Sequence, residues 1–153
     1  MSRSTFTTNT AHVNDTELAY TDEGRGESIV LLHGHAYDRS MWDGQVTTLA
    51  EQGWRVIAPD LRGFGESQVT EGIVYTEEFA ADIVALLDEL GLETVILLGF
   101  SMSGQVAMQI AALYPERVSA LIINDTVPTS EDAAGRRRRH VAADGIVRDG
   151  MET

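Results

Sequence analysis

The sequence predicts an α/β fold built on a mostly parallel, doubly wound sheet. Short apolar runs alternate along the chain with segments of helical periodicity, and this alternation is typical of a parallel sheet with helices on both faces. The run 28–32 (SIVLL) is apolar almost throughout, as expected of a strand buried on both sides. The segment 77–90 has the apolar spacing of an amphipathic helix, and Gly91 ends it.

The other elements follow from the same two patterns and from the residues that interrupt them. Strands are expected where apolar or alternating runs lie between turn residues, and helices where apolar residues recur every three or four positions. Ser40 is predicted to cap the first helix and Thr76 the second. The predicted strands are 8–13, 17–22, 28–32, 54–58, 94–98 and 118–124, and the predicted helices are 41–52, 77–90 and 105–114.

Composition limits the function classes. With 153 residues, 43% of them apolar, the chain is long enough for one globular domain with a core of its own. A net charge of −13 and the absence of lysine argue against nucleic acid and anionic membrane surfaces as partners. The absence of cysteine excludes disulfides, thiolate metal sites and a cysteine nucleophile.

No targeting or membrane segment is visible in the sequence. The first five residues are polar and carry no apolar core of a signal peptide. No apolar run approaches the roughly 18 residues that a bilayer requires. We therefore expect a cytoplasmic protein.

The segment Gly99-Phe100-Ser101-Met102-Ser103, followed by Gly104, carries the strongest chemical signal. An apolar run precedes it and a helical pattern follows, so Ser101 is expected at the apex of a strand-to-helix turn. Such a turn crowds the serine backbone, and small residues on both sides relieve the crowding. The Ser101 hydroxyl would stand above the sheet at a helix N-terminus, where backbone N–H groups can stabilise a developing oxyanion.

A second loop, His33-Gly34-His35, leaves the buried run 28–32 directly. Its simplest interpretation is a tight strand exit that needs glycine. Its position well upstream of the serine turn favours a second interpretation, in which both loops belong to one site at the strand ends. The N–H of His35 and the N–H of Met102 would then form a two-donor oxyanion hole.

Together these segments resemble the α/β-hydrolase superfamily, and more narrowly its small esterase and enol-lactone hydrolase branch, which includes cofactor-free, haloperoxidase-like perhydrolases. The resemblance implies Ser101 as nucleophile, His35 and Met102 as oxyanion donors, and no cofactor. Ser103 departs from the pattern, because the family usually has glycine there. The segments that carry the resemblance are 31–35 (LLHGH), 60–67 (DLRGFGES), 99–104 (GFSMSG), 114–118 (YPERV) and 124–128 (NDTVP).

The resemblance extends over only the N-terminal part of that fold. Residues 1–128 are expected to form the core through its sixth strand, and residues 129–153 the start of a helical cap. We expect the chain to lack the C-terminal strands, the closing helix, and with them the triad acid and histidine. Asp125 and His140 follow Ser101 in the right order for a triad, but a turn-capping aspartate and a solvent-facing histidine are the simpler interpretation.

Three other motifs are weak. The arginines at 136–139 form one basic patch on an acidic chain, which is poor support for nucleic-acid binding. The loop 60–67 is expected to be structural, because Gly63-Phe64-Gly65 is too short for a dinucleotide fingerprint and a phosphate-binding loop needs a lysine. No cluster has metal-ligand spacing, and His12 and His33 are expected to be an exposed and a structural residue.

The sequence therefore predicts a serine hydrolase of small carboxylic esters or lactones, incomplete as given, that works through an acyl-serine intermediate. A catalytically silent, ligand-binding protein and a cofactor-free perhydrolase remain as alternatives. An unpaired edge beside residues 118–124 predicts self-association. The residues expected to line an apolar acyl pocket are Tyr37, Met41, Trp42, Met102 and Val127.

Overall fold

The computed structural model describes residues 4–127, which form a six-stranded sheet flanked by three α-helices. The sheet and the alternation of strands and helices confirm the predicted α/β fold, and the element bounds differ from the predicted ones by a few residues. The strands are β1 (Asn9–Val13), β2 (Thr16–Gly24), β3 (Ser28–Leu32), β4 (Arg55–Pro59), β5 (Val95–Phe100) and β6 (Val118–Asn124), and the helices are α1 (Asp43–Glu51), α2 (Thr76–Glu89) and α3 (Met102–Leu113).

The strands lie in the order β1-β2-β4-β3-β5-β6. β1 pairs with β2, and β2 with β4, in antiparallel fashion. β3 is parallel to both β4 and β5, and β5 is parallel to β6. Because β3, β5 and β6 are parallel, the loops that follow them leave from the same edge of the sheet, and these loops carry His35, Ser101 and Asp125.

The central strand β3 shows how the sheet is covered on both sides. Val30 and Leu32 belong to the core beneath α2 and α3, whereas Ile29 and Leu31 belong to the core beneath α1. Successive side chains of a strand point to opposite faces, so a strand in the middle of a two-sided sheet has to be apolar at every position.

The helix starts differ from the predicted ones. A short 3₁₀ helix, Arg39–Trp42, precedes α1, and the Asp38 carboxylate caps it by accepting the N–H of Ser40 at 2.9 Å. The prediction of Ser40 as N-cap was therefore wrong by two residues. α2 begins at Thr76 itself, and its N-cap is Tyr75, whose N–H donates to the Glu78 carboxylate at 2.9 Å.

The loop after β4 is held by a buried carboxylate. Asp60 accepts the backbone N–H groups of Arg39 at 2.6 Å and Glu66 at 2.9 Å, and it forms an ion pair with the Arg39 guanidinium. Gly65 has a φ of +53°, and a Cβ there would come within 2.3 Å of the Asp60 carboxyl carbon. The glycine is thus needed both for the backbone conformation and for the close approach, which fits the structural role predicted for residues 60–67.

The last strand of the described region, β6, is an exposed sheet edge. Leu121, Ile122 and Ile123 are 39%, 43% and 38% exposed, so the strand is uncovered on both faces. Within residues 4–127, it pairs on one side only, with β5. In the same part of the chain, no helix is long and apolar enough to cross a membrane.

Candidate active site

Ser101 lies between the end of β5 and the start of α3, at the predicted strand-to-helix turn. Its φ of 54° and ψ of −119° fall outside the regions that residues other than glycine ordinarily adopt. Strained backbone of this kind persists only where the surrounding structure holds it in place, and it is often found at functional sites.

Two glycines make the turn possible. A Cβ on Gly99 would lie 2.3 Å from the carbonyl oxygen of Ser103, and a Cβ on Gly104 would lie 1.9 Å from Oγ1 of Thr126. Neither distance is compatible with a real side chain, so the start of α3 packs against β5 and against Thr126 only because these positions lack one.

Three hydrogen bonds fix the backbone of Ser101. Its N–H donates to the carbonyl oxygen of Asn124 at 3.0 Å, which joins the turn to the end of β6. Its carbonyl oxygen accepts from the N–H of Gly104 at 3.0 Å and from the hydroxyl of Thr126 at 2.7 Å. Asp125, with a φ of 51°, turns the chain between Asn124 and Thr126.

The His33-Gly34-His35 loop lies directly against the serine turn. A Cβ on Gly34 would lie 2.8 Å from the Phe100 ring and 3.2 Å from Cβ of Ser101. The backbone of this loop therefore approaches Ser101 as closely as a glycine allows. The two loops that the sequence assigned to one site are in contact.

His33 is fully buried and works as a structural hydrogen-bonding residue, as the sequence predicts. Its Nε2 accepts the N–H of Leu61 at 3.1 Å, so the proton of the neutral ring is on Nδ1, which lies 2.9 Å from the carbonyl oxygen of Gly34. Burial lowers the pKa of His33 below its ordinary value, although the Gly34 carbonyl and Asp60 oppose that shift.

Ser103 links the two loops. Its side chain is fully buried, and its hydroxyl donates a hydrogen bond to the carbonyl oxygen of His33. The residue that departs from the family pattern thus makes a direct contact between the first turn of α3 and the end of β3.

Two backbone N–H groups, those of His35 and Met102, lie at the contact between the loops. Among the residues that the structure describes, neither the N–H of His35 nor that of Met102 has a hydrogen-bond acceptor. Met102 is the first residue of α3, where an N–H group has no partner inside the helix. Unpaired N–H groups beside a hydroxyl can hold an anionic oxygen.

A cavity of about 200 Å³ opens above Ser101. Three of the residues predicted for an acyl pocket do not line it: Tyr37, Met41 and Trp42, and the last of these is buried in the core beneath α1. Sequence reasoning did not place Gln105 or Thr126 in the site. The residues that line the cavity are His35, Ser101, Met102, Gln105, Asp125, Thr126 and Val127.

The titratable groups around Ser101 are few. In residues 4–127, His35 and Asp125 are the only acid or imidazole side chains that line this cavity. His33 already uses both ring nitrogens, and His12 is exposed on β1. His140 and the arginines at 136–139 lie outside the described residues, as do residues 129–153 as a whole.

A larger, open cavity of about 550 Å³ lies elsewhere on the molecule, and its chemistry is different. It is near the amino ends of β5 and β6, opposite the Ser101 edge of the sheet. Three carboxylates and one arginine line it, and it holds no serine, cysteine or histidine. The residues are Asp88, Gly91, Leu92, Glu93, Thr94, Glu116 and Arg117.

Several known proteins are similar to this chain in sequence and in architecture. The chain is 38% identical over 115 residues to a non-heme haloperoxidase of Rhodococcus erythropolis, covering 74% of this chain and 42% of that protein. It is 34% identical over 106 residues to bifunctional epoxide hydrolase 2 of Sus scrofa, covering 68% of this chain and 19% of that protein.

A solved structure, a thermophilic esterase of Thermogutta terrifontis with malate bound, superimposes with a TM-score of 0.87 at 37% identity, covering 94% of this chain and 54% of that one. The chain spans about half the length, or less, of these relatives. A sequence model of the alpha/beta hydrolase fold matches residues 27–144. With the strand order, the strained serine turn and this match, the chain belongs to the α/β-hydrolase family.

Proposed function

We propose that this chain carries the nucleophile and the oxyanion hole of a serine hydrolase that acts on small carboxylic esters or lactones. The observation that carries the proposal is the strained conformation of Ser101 at the start of α3, facing a cavity shared with His35. In this proposal Ser101 is the nucleophile, and the N–H groups of His35 and Met102 receive the substrate's carbonyl oxygen.

The reaction would proceed in two steps. Oγ of Ser101 attacks the carbonyl carbon, the carbonyl oxygen becomes an oxyanion held by the two N–H groups, and the alkoxide leaves with a proton to give the acyl-serine. Water then attacks the same carbon and releases the acid. In a lactone the leaving oxygen stays tethered to the acyl group, so the product is a hydroxy acid.

A base has to take the proton of Ser101, because a serine hydroxyl is a weak nucleophile at neutral pH. Among the described residues, the side chains on the cavity wall with this capacity are His35 and Asp125. Beyond the described residues the chain holds one histidine, His140. Without an efficient base, an oxyanion hole and binding alone still leave a rate on the order of 10³–10⁴ over water in well-studied proteases.

The names of the relatives are consistent with this reaction class. Two of the similar solved structures are esterases, from Thermogutta terrifontis and Exiguobacterium antarcticum, with TM-scores of 0.87 and 0.86. The cavity supports small substrates, since about 200 Å³ is below the roughly 300 Å³ of an ordinary ligand pocket.

Covalent labelling tests the proposal. A fluorophosphonate reacts with an activated serine by forming a P–O bond and releasing fluoride, while the hydroxyl proton goes to solvent. We expect one label per chain, mapped by mass spectrometry to the peptide that contains Ser101, and none on Ser101→Ala. Ser119→Ala, which removes an exposed hydroxyl on β6, is the control and should label as the unmodified chain does.

Failure of the unmodified chain to label, or labelling on another serine, would overturn the proposal. In that case, the alternative of a catalytically silent protein that binds a small ligand is favoured. Release of p-nitrophenol from p-nitrophenyl acetate, measured on the same variants, reports whether labelling is accompanied by turnover.

Perhydrolysis is a second candidate, favoured by the 38% identity to a protein named non-heme haloperoxidase. The same acyl-serine would be attacked by hydrogen peroxide instead of water, giving a peracid that oxidises halide. Bromination of a phenolic dye that needs acetate, peroxide and Ser101 together would support it. Ester hydrolysis without any such bromination would exclude it.

A further inference from the structure

The peptide group that joins Ser101 to Met102 is held at its carbonyl end from outside α3. The Ser101 carbonyl oxygen accepts the hydroxyl of Thr126 at 2.7 Å, in addition to the N–H of Gly104 at 3.0 Å. In a trans peptide the C=O and the N–H point in opposite directions. Whatever fixes the Ser101 carbonyl therefore also fixes the direction of the Met102 N–H.

The hydroxyl of Thr126 has one proton, and its two neighbouring acceptors are unequal. Each of the two carbonyl oxygens also accepts one backbone N–H, but the Asn124 oxygen is 3.2 Å from the Thr126 hydroxyl, whereas the Ser101 oxygen is 2.7 Å from it. The shorter distance is typical of a strong O–H···O bond. The left-handed backbone of Asp125 and the missing side chain at Gly104 bring Thr126 to this place.

The second donor peptide is held in the same way. The carbonyl oxygen of Gly34 accepts Nδ1–H of His33 at 2.9 Å and the N–H of Tyr37 at 3.2 Å. The N–H of His35 belongs to that peptide, so its direction is also set from the carbonyl side. In both loops, one side-chain donor and one backbone donor bind the carbonyl oxygen of a peptide group whose N–H has no acceptor within residues 4–127.

We propose that Thr126 is a positioning residue for the oxyanion hole, acting through the Ser101–Met102 peptide. Its hydroxyl aims the Met102 N–H and, by polarising the peptide, strengthens it as a donor. This inference rests on the proposed function of Ser101. It adds a residue on a third loop, after β6, whose hydroxyl acts through this peptide group on the geometry of the oxyanion hole.

The test compares Thr126→Val with Thr126→Ser. Valine keeps the shape that packs on Gly104 and loses the hydroxyl, whereas serine keeps the hydroxyl. Removing a whole oxyanion donor costs about 10²–10³ in kcat. Because Thr126→Val leaves the Met102 N–H present but poorly aimed, we expect Ser101 acylation by p-nitrophenyl acetate to slow by about tenfold with little change in KM. Thr126→Ser should restore most of that rate.

A second substrate separates positioning from a merely structural role. In a thionoester, sulfur replaces the carbonyl oxygen and accepts hydrogen bonds poorly, so oxyanion stabilisation contributes little. We expect Thr126→Val to lower the ester-to-thionoester rate ratio, whereas a general loss of structure would slow both substrates alike. An unchanged ratio would overturn the inference while leaving the proposed function intact.

A measurement independent of turnover completes the test. The ¹⁵N resonance of Met102 reports hydrogen bonding to the preceding carbonyl, so Thr126→Val should shift it upfield and Thr126→Ser should not. An unchanged Met102 resonance in Thr126→Val would contradict the inference. A third outcome is that Thr126→Val shifts the Met102 ¹⁵N resonance as expected, but Ser101 of the unmodified chain reacts with neither fluorophosphonate nor ester. That outcome would overturn the proposed function, and with it the role of Thr126 in catalysis.

Discussion

The hydroxyl of Ser103 donates a hydrogen bond to the carbonyl oxygen of His33, between residues that are 70 positions apart in the sequence. Both side chains are fully buried. The bond joins the first turn of α3 to the residue that follows β3, and it lies beneath the contact between Gly34 and Ser101. One side chain thus ties together the two loops that supply the proposed oxyanion donors.

We expect Ser103→Ala to destabilise the fold and to slow labelling of Ser101. The substitution leaves the buried carbonyl of His33 without a donor, which costs about 1–3 kcal/mol. Urea unfolding measures the loss, and the control Ser119→Ala, at an exposed residue of β6, should stay within about 0.5 kcal/mol of the unmodified chain. Equal stability of the two variants would show that the buried bond contributes nothing.

A matched pair of glycine substitutions tests the close approach of the loops. Gly34→Ala places a methyl group 2.8 Å from the Phe100 ring and 3.2 Å from Cβ of Ser101, so we expect the loop to shift and the labelling rate of Ser101 to fall at least about tenfold. Gly44 lies in α1, and a Cβ added there would meet nothing within 4 Å.

Gly44→Ala should therefore stabilise the chain by up to about 0.5 kcal/mol, because Gly44 is in the first turn of α1 and the full gain over glycine belongs to the middle of a helix. Its labelling rate should equal that of the unmodified chain. If Gly34→Ala labelled as fast as Gly44→Ala, the geometry of the Gly34 loop would not matter for Ser101.

Acid should destabilise the fold through His33. Burial lowers the pKa of this imidazole in the folded state, so between that lowered pKa and the unfolded value of about 6.5 the unfolded chain binds more protons. Stability should fall as the pH drops through this window, by at most about 1.4 kcal/mol per pH unit. Protonation would also place a proton on Nε2, where Leu61 now donates.

The comparison is with His33→Gln, whose amide oxygen can accept from Leu61 and does not titrate. As the pH is lowered from about 6.5, the free energy of unfolding of His33→Gln should fall less than that of the unmodified chain. His12→Gln, on the exposed face of β1, is the control. If the free energies of unfolding of the unmodified chain and of His33→Gln fell in parallel with pH, His33 would not be the cause of the loss of stability in acid.

We predict that the chain self-associates through β6. Unpaired strand edges invite pairing with another chain, and three consecutive apolar residues of β6, Leu121, Ile122 and Ile123, are exposed. Ile122→Lys puts a charge on that edge and should reduce association, as measured by light scattering after size exclusion across a range of concentrations. Val69→Lys, at a residue that is 78% exposed in the loop before α2, should have no effect. A monomer at all concentrations would contradict the prediction.

The parts of this structure that sequence predicted are those governed by local pattern. The apolar run 28–32 became β3 because a strand covered on both faces has to be apolar throughout. The serine turn was predicted from the small residues Gly99 and Ser103, and in the structure no Cβ fits at Gly99. Burial and steric fit decide such features, and both can be predicted from the size and polarity of the side chain at each position.

The parts that sequence missed depend on contacts between distant segments. Thr126 enters the site because Asp125 adopts a left-handed conformation and Gly104 leaves room, and neither condition is visible in the letters of residues 124–128. Trp42, predicted to line the pocket, is buried under α1 instead. Its position depends on the 3₁₀ helix that Asp38 caps, and the sequence pattern predicted a regular helix there.

The parallel pairing of β5 and β6 has a consequence for any strand that joins the sheet beyond β6. A strand added in the same direction would end at the same height as Phe100 and Asn124, which are paired in register. The residues after its last pair would arrive at the rim that holds Ser101, His35 and Asp125. The β6 edge of the sheet therefore determines where the loop after a further parallel strand would lie, whichever polypeptide supplies that strand: next to Ser101.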